Sequence, residues 1–505
     1  MTSETSTSPR APGAASPWLA WAGFVLVAFG VAGAIQFLFA RVPSDADTAY
    51  HAAVGRLIAE HGILRSFPWT PMSWLADHYA DKELLFHLLY LPFNGLGWIT
   101  ASKVVGTVGG AAVLLALFGI LRAERVRYPA VWALLPLLVS SAFLYRFALV
   151  RPHLLSIALA PIVLWAASRE RTRVLAVASF LYPWTYVAWG MPVVLAGIAE
   201  AARLLSGERI RWKPVAVAAV AVAAGLALHP NGANLVRFGW LVVARVLVEN
   251  AWGARAGLEM GGEFDAFTAG QWLQLLALAA LLAAGALVVA WRGRRASSLP
   301  LAFALAALAF GVLTARTARF TEYFVPMSVA ALALSLRFDP RPRMRLAPFA
   351  LLAAGALYQG PEEVAMLGRL REWPNRVPSY VAKVMQREIP AGARVFTCEW
   401  GMTGHLMLAL PDREFLVALD PTLFQAKDPE LYALWYVATR RPPPDVARLI
   451  RERFGARYVA CFFDPQFEPF NASLATSPGV RTVLVSDDWN VYDLGAPPQA
   501  GAPER

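Results

Sequence analysis

Charge and thiols are scarce in this chain. Only 16% of its 505 residues are charged and only two are cysteine, where soluble domains run to about a quarter charged. So few charges cannot cover a water-facing surface of this size. The 57% hydrophobic content and a mean hydropathy of +0.46 point instead to an α-helical polytopic integral membrane protein. Two cysteines exclude a disulfide scaffold and a cysteine-based metal site. The glycine and proline content, 36 of each, does not suit the alternating strands of an outer-membrane barrel.

The net charge of +11 would suggest nucleic acid in a soluble protein. Here the basic residues are mostly arginines in short clusters between apolar runs, at 122–127, 169–173, 203–213, 292–295 and 337–345. Topology explains them better, and no nucleic-acid partner is expected. Placing all five clusters in the cytoplasm gives about eleven spans, at 18–40, 101–121, 130–147, 152–168, 174–187, 189–205, 214–229, 271–291, 299–315, 321–337 and 345–359. The N-terminus is then cytoplasmic and the C-terminus external. Residues 1–17 read as a disordered cytoplasmic tail. The apolar run that follows is too long for a signal-peptide core. Segments 84–99 and 235–250 read as interfacial helices.

This topology gives a transmembrane domain over 18–359, a first external loop over 41–100, an external soluble α/β domain over 360–495 and a flexible tail over 496–505. Strands are expected at Arg394–Cys398, Glu414–Leu419, Arg457–Phe463 and Val480–Val485, with helices at Ser379–Arg387 and Pro444–Phe454. Cys398 and Cys461 fall in or beside strands, where an external face would permit a disulfide; spacing alone leaves their pairing open. Cys398-Glu399-Trp400-Gly401 and His405 have no metal-ligand spacing. The plainer role for this domain is to cover or complete a cavity in the membrane part.

The loop carries the chemistry-bearing residues. Four of the seven histidines, His51, His61, His78 and His87, lie in or just beyond the stretch Asp45–Glu83. Asp45 and Asp47, one residue apart, can hold a divalent cation together, or can divide the roles of base and electrostatic stabiliser. The bland reading is a solvated loop with Asp47 as the N-cap of a helix over Ala49–Ala59. His51, four residues on, shares the helical face of Asp47. A second cluster, Asp77, His78, Asp81, Lys82 and Glu83, follows the turn FPWTPMSW. The two clusters are candidates to converge on one ligand.

The pattern DADTAYHAAVGRLIAEHG followed by FPWTPMSWLADHYADKELLFHLLYLPF resembles the first external loop of GT-C-fold glycosyltransferases, in a bacterial branch without an assigned activity. Arg151-Pro152-His153, His229-Pro230-Asn231-Gly232 and Arg316…Arg319-Phe320 agree with it in order. The resemblance implies transfer of a sugar from a polyprenyl-phosphate-linked donor, on the external face, to an envelope lipid, glycan or protein. It implies Asp47, with Asp45 next, at the reaction centre. The family's usual His-Glu is here Lys82-Glu83, which leaves the role of Lys82 open.

Such a transfer needs a carboxylate for the acceptor proton and cations for the leaving phosphate. Arg146, Arg151, Arg316 and Arg319 sit at span ends on the external side and are the phosphate candidates; interfacial snorkelling is the alternative. His51, Asp77, His78, Asp81 and Glu83 are candidates for substrate binding. His153 and His229 read as helix-end hydrogen-bond donors. Tyr182, Trp184, Tyr186 and Trp189 read as an interfacial aromatic belt, and Glu263 and Asp265 as candidates for lining the acceptor entrance. Two rival functions stand beside the transferase: a non-catalytic protein handling lipid-linked glycans, and a lipid-glycan transporter. Few acids within the spans argue against transport. The bacterial inner membrane is the expected location, and a divalent cation at Asp45 and Asp47 the one cofactor considered.

Overall fold

Apolar runs of this chain become helices packed side by side, and its polar ends carry the irregular backbone. The computed structural model describes residues 17–43, 45–242, 258, 262–337 and 341–495. Residues 1–16 and 496–505 of the expected tails and residues 243–250 of the expected interfacial segment, Arg245 among them, lie outside the described residues. Among the described residues, three helical stretches are long and apolar enough to cross a membrane, Trp18–Phe39, Trp98–Ala123 and Ala269–Gly293. Counting two bent pairs, Ser141–Ala148 with His153–Ser168 and Trp212–Leu228 with Gly232–Val242, raises the number to five. Helices also occupy most of the remaining expected spans, at Thr172–Thr185, Met191–Leu205, Leu299–Thr314, Thr321–Leu336 and Ala347–Tyr358. The expected span at 130–147 is broken into Pro129–Leu134, Pro136–Val139 and Ser141–Ala148. Pro136 removes a backbone donor, and Ser140 restarts the helix by accepting from Phe143 N–H at 3.2 Å.

Leu26, Val220, Leu281 and Leu357 stand exposed on these helices, Leu357 at 83%. Such side chains are costly in water and cost nothing against lipid. Inward, Phe303, Ala307, Val325, Ala330 and Leu334 belong to one buried cluster shared across the bundle.

The C-terminal part forms a five-stranded sheet in the order β2-β1-β3-β5-β4, from β1 (Arg394–Thr397), β2 (Glu414–Phe415), β3 (Tyr458–Phe462), β4 (Arg481–Val485) and β5 (Trp489–Asp493). β1 pairs parallel with β2 and β3, while β5 runs antiparallel to β3 and β4. The expected strand over Glu414–Leu419 is only two residues long. β5 was not expected, since its residues WNVYD mix polar and apolar, yet every one of them is buried. Helices Ser379–Glu388 and Val446–Phe454 occur as anticipated. Cys398 and Cys461 form a disulfide, with Cα atoms 5.1 Å apart.

The sheet domain and the early loop share one core, in which Tyr50, Val54, Leu57 and Phe67 pack with Val381, Phe396 and Leu406. Trp69 carbonyl accepts from Phe415 N–H at 2.8 Å, and Leu416 carbonyl from Met72 N–H at 3.1 Å. At Gly404 an added Cβ would lie 2.5 Å from the backbone nitrogen of Tyr50. Only glycine lets the Thr403–Ala409 helix meet the Ala46–His61 helix so closely. The loop is thereby fixed between the bundle and the sheet domain.

Candidate active site

A cavity of about 1220 Å³ opens where loop, bundle and sheet domain meet. The loop contributes Asp47, His51, Asp81, Lys82, Glu83 and His87 to its wall; the helix ends contribute Arg146, Arg151, Arg319 and Glu322; the sheet domain contributes Trp400 and Asp420. The C-terminal domain therefore helps to close this cavity.

Asp45, not Asp47, is the N-cap of the Ala46–His61 helix, accepting from Thr48 N–H at 2.9 Å and from the Thr48 hydroxyl. Its extended backbone suits the cap. Asp47 then falls in the first turn and faces the cavity. Arg151, in the turn before the His153–Ser168 helix, joins the two acids. Its Nε donates to Asp45, and its Nη1 lies 3.0 Å from Asp47 Oδ2.

The arginines meet at one further carboxylate. Glu263 Oε2 lies 2.9 Å from Arg151 Nη1 and 2.5 Å from Arg146 Nη1, and its Oε1 accepts from Arg319 Nη1 at 3.1 Å. Arg146 also holds Glu322 at 2.9 Å. Arg319 donates to the Tyr186 hydroxyl at 2.8 Å, which in turn donates to Glu322 at 3.4 Å. Arg316 is exposed at the cavity wall, with no ion pair among the described residues. Burial works against the charge of Glu263, but Arg151, Arg319 and Arg146 outweigh it and hold its carboxyl well below the usual range. For Asp47 the balance goes the other way. Withdrawal from water, with repulsion from Asp45, Glu263 and Glu83, exceeds the pull of Arg151 and pushes its pKa up to about 6. A carboxylate titrating there is suited to take a proton near neutral pH.

The second cluster divides. Asp81 Oδ1 lies 2.8 Å from His87 Nδ1, His87 Nε2 lies 2.9 Å from His51 Nδ1, and Lys82 Nζ pairs with Glu83 Oε2 at 2.7 Å. Burial holds the His51 pKa well below its ordinary value. Asp77 and His78 do not join the site. Asp77 is exposed and paired with Lys427 at 2.6 Å; His78 stacks on Trp74, with ring centres 4.9 Å apart. They lie beside the short helix Trp74–Ala76, whose turn directs them away from the cavity.

A divalent cation between Asp45 and Asp47 does not fit this arrangement. The Arg151 guanidinium already joins both carboxylates in the place a cation would take. Other expectations also shift. Tyr186, read as part of an aromatic belt, is buried and bonded to Arg319. Glu263 and Glu322 are ion-pair partners of the arginines. Glu322 went unnoticed, though a lone acid three residues after Arg319 at the head of an apolar run was a usable signal. His153 acts as the expected donor, to the Arg146 carbonyl at 2.8 Å. His229 Nδ1 instead accepts, from Asn231 N–H at 3.0 Å.

No family model matches the chain, and no curated protein matches it in sequence. Solved structures do match. The oligosaccharyltransferase AglB from Archaeoglobus fulgidus, in complex with an inhibitory peptide and a dolichol-phosphate, superposes with a TM-score of 0.57 at 13% identity, over 92% of this chain and 72% of AglB. ArnT from Cupriavidus metallidurans, bound to undecaprenyl phosphate, gives 0.58 at 14% identity, over 97% of this chain and 100% of ArnT. The arabinofuranosyltransferase AftD from Mycobacteria gives 0.57 at 16% identity; 96% of this chain matches 40% of AftD. At such identities the likeness is one of fold, and it is the one the loop motif implied: this chain has the GT-C fold of membrane glycosyltransferases.

Proposed function

We propose that the protein is a membrane glycosyltransferase that moves a sugar from a polyprenyl-phosphate-linked donor to an envelope lipid, glycan or protein, on the external face of the bacterial inner membrane. The observation that carries this reading is a carboxylate, Asp47, on the wall of a cavity that also presents Arg146, Arg151 and Arg319 at the end of an apolar helical bundle. Asp47 accepts the proton of the acceptor hydroxyl as its oxygen attacks the sugar's anomeric carbon. The bond from that carbon to the phosphate oxygen breaks, and the polyprenyl phosphate leaves with the bonding electrons. Asp45 fixes the helix start and shares Arg151 with Asp47, so it positions rather than reacts.

Arg151, Arg319 and Arg146 are the phosphate-binding candidates, with Arg316 and Lys82 at the wall. Three of these guanidiniums hold carboxylates, so a phosphate enters by exchanging with Glu263 or Glu322. The dolichol-phosphate and undecaprenyl phosphate complexes of the structural neighbours support a polyprenyl phosphate as the lipid partner.

The test presents purified wild type and Asp47→Ala with polyprenyl-phosphate sugars and measures sugar transfer and release. Turnover by wild type and its loss in the variant are expected. Equal turnover by both removes Asp47 from the chemistry, and binding without turnover in wild type assigns the cavity to a handling role.

A further inference from the structure

Two imidazoles and a carboxylate on the cavity wall have a geometry that the transfer reaction leaves unused. His51 projects from the Ala46–His61 helix, Glu83 precedes the short helix Leu84–Leu88, and His87 follows one turn later. Their nearest ligand atoms all lie within 4.8 Å of one another. All three residues are buried, at 2%, 6% and 1% exposure, yet all three line the cavity. We propose that His51, Glu83 and His87 form a binding site for a zinc-type divalent cation, separate from the Asp45–Asp47 pair.

The surroundings prepare the two histidines as ligands, while Glu83 Oε2 exchanges its 2.7 Å contact with Lys82 Nζ for the metal. Asp81 accepts from His87 Nδ1, with its two oxygens at 2.8 and 3.0 Å. That bond commits the Nδ1 proton and turns the Nε2 lone pair inward, toward His51. A carboxylate behind a histidine is the usual outer-shell support of a metal-ligating imidazole. Asp81 is itself steadied by the backbone N–H of Glu83 at 3.2 Å. The His51 ring is held edge-on to Phe86, with ring centres 5.3 Å apart.

The donor set selects the ion. Magnesium and calcium prefer oxygen ligands, whereas two imidazoles and one carboxylate suit zinc and its neighbours. Bonds of about 2.1 Å place ligand atoms about 3–3.5 Å apart. The His51 and His87 nitrogens stand at 2.9 Å, His51 Nδ1 and Glu83 Oε2 at 4.0 Å, and the third pair within 4.8 Å, so side-chain adjustments of up to about 1.5 Å suffice. The cavity side leaves a position for water or a substrate oxygen. The competing use of the same groups is a hydrogen-bond chain, Asp81–His87–His51, with no metal. The proposal does not depend on the transferase reading, because metal binding is measured without donor or acceptor.

The experiment uses the full-length, tag-free chain in detergent. It is stripped with a chelator, incubated with zinc or cobalt(II) alone at micromolar concentration and passed over a desalting column. One retained metal per chain is expected. The cobalt form should show the visible absorption of a four- or five-coordinate site with imidazole ligands. His51→Ala and His87→Ala should lose retention, Asp81→Asn should weaken binding about 10–100-fold, and Asp47→Asn should retain the metal. No retained metal, or equal retention in the His51→Ala/His87→Ala double variant, overturns the proposal. If the histidine variants do not fold, the cobalt spectrum of wild type decides: a spectrum of hydrated octahedral cobalt alone also overturns it.

Discussion

Replacing Arg151 by methionine tests the site electrostatics most sharply. The side chain is only 15% exposed and contacts Asp45, Asp47 and Glu263. In the variant Glu263 keeps Arg146 and Arg319, whereas Asp45 and Asp47 lose their arginine. Removing one partner of a buried ion pair costs about 3–5 kcal/mol. Asp47 is 23% exposed to the cavity, and water there screens part of the loss, which puts the expected deficit near 3 kcal/mol.

The sign of the pH dependence follows. The Asp47 pKa is already raised to about 6, and losing Arg151, the cation that stabilises its charge, moves it higher. A carboxyl whose folded pKa exceeds its unfolded value of 3.8 costs stability as pH rises through the folded value. The Asp47 part of the gap between wild type and Arg151→Met should therefore grow as pH rises through 6, making the gap smaller near pH 5 than at pH 8. Thermal unfolding in detergent, followed by the fluorescence of the 18 tryptophans, measures it at both pH values. A gap that is equal at the two, or larger at the acidic one, refutes the assignment of Arg151 as the counter-ion of these acids.

Three further outcomes are expected. Gly404→Ala drives a Cβ to 2.5 Å from Tyr50 nitrogen; it should displace the Ala46–His61 helix, lower turnover and loosen the loop from the sheet domain, read as faster proteolysis within residues 62–80. Cys398→Ser with Cys461→Ser removes a crosslink spanning 63 residues and should cost about 4 kcal/mol, matched by the thermal shift of wild type under reductant. Arg319→Ala should weaken polyprenyl phosphate binding by about 1.5–3 kcal/mol, the worth of a charged hydrogen bond, measured as competition against a labelled lipid phosphate.

Much of this was legible in the sequence. Composition alone sufficed for Trp18–Phe39 and Trp98–Ala123, because a long apolar run has one favourable environment. Asp45, Asp47, Arg151 and Arg319 could be singled out because acids and arginines at the ends of apolar runs have no solvent reason to cluster, and the structure links them through Arg151 and Glu263. Asp77 and His78 were misplaced because spacing says nothing of which way a Pro- and Trp-rich turn faces. The break at Pro136 and Ser140 was hidden within an otherwise apolar run. β5 escaped because burial on both faces of its mixed sequence arises from β3, β4 and the flanking helices, a long-range effect. The contacts of Glu263 with Arg146 and Arg151 join residues more than a hundred positions apart, as does the pairing of Glu322 with Arg146, and only tertiary structure brings them together.

The most direct test of the central claim is the pH dependence of kcat/KM for sugar transfer from a polyprenyl-phosphate donor, in wild type and Asp47→Asn. Asp47 as base predicts an acidic limb near pH 6 in wild type, with activity falling as pH drops below it. It predicts a loss of about 100-fold or more in Asp47→Asn, with binding of polyprenyl phosphate retained. A wild-type profile flat through pH 6, or an Asp47→Asn enzyme that keeps its rate, contradicts it.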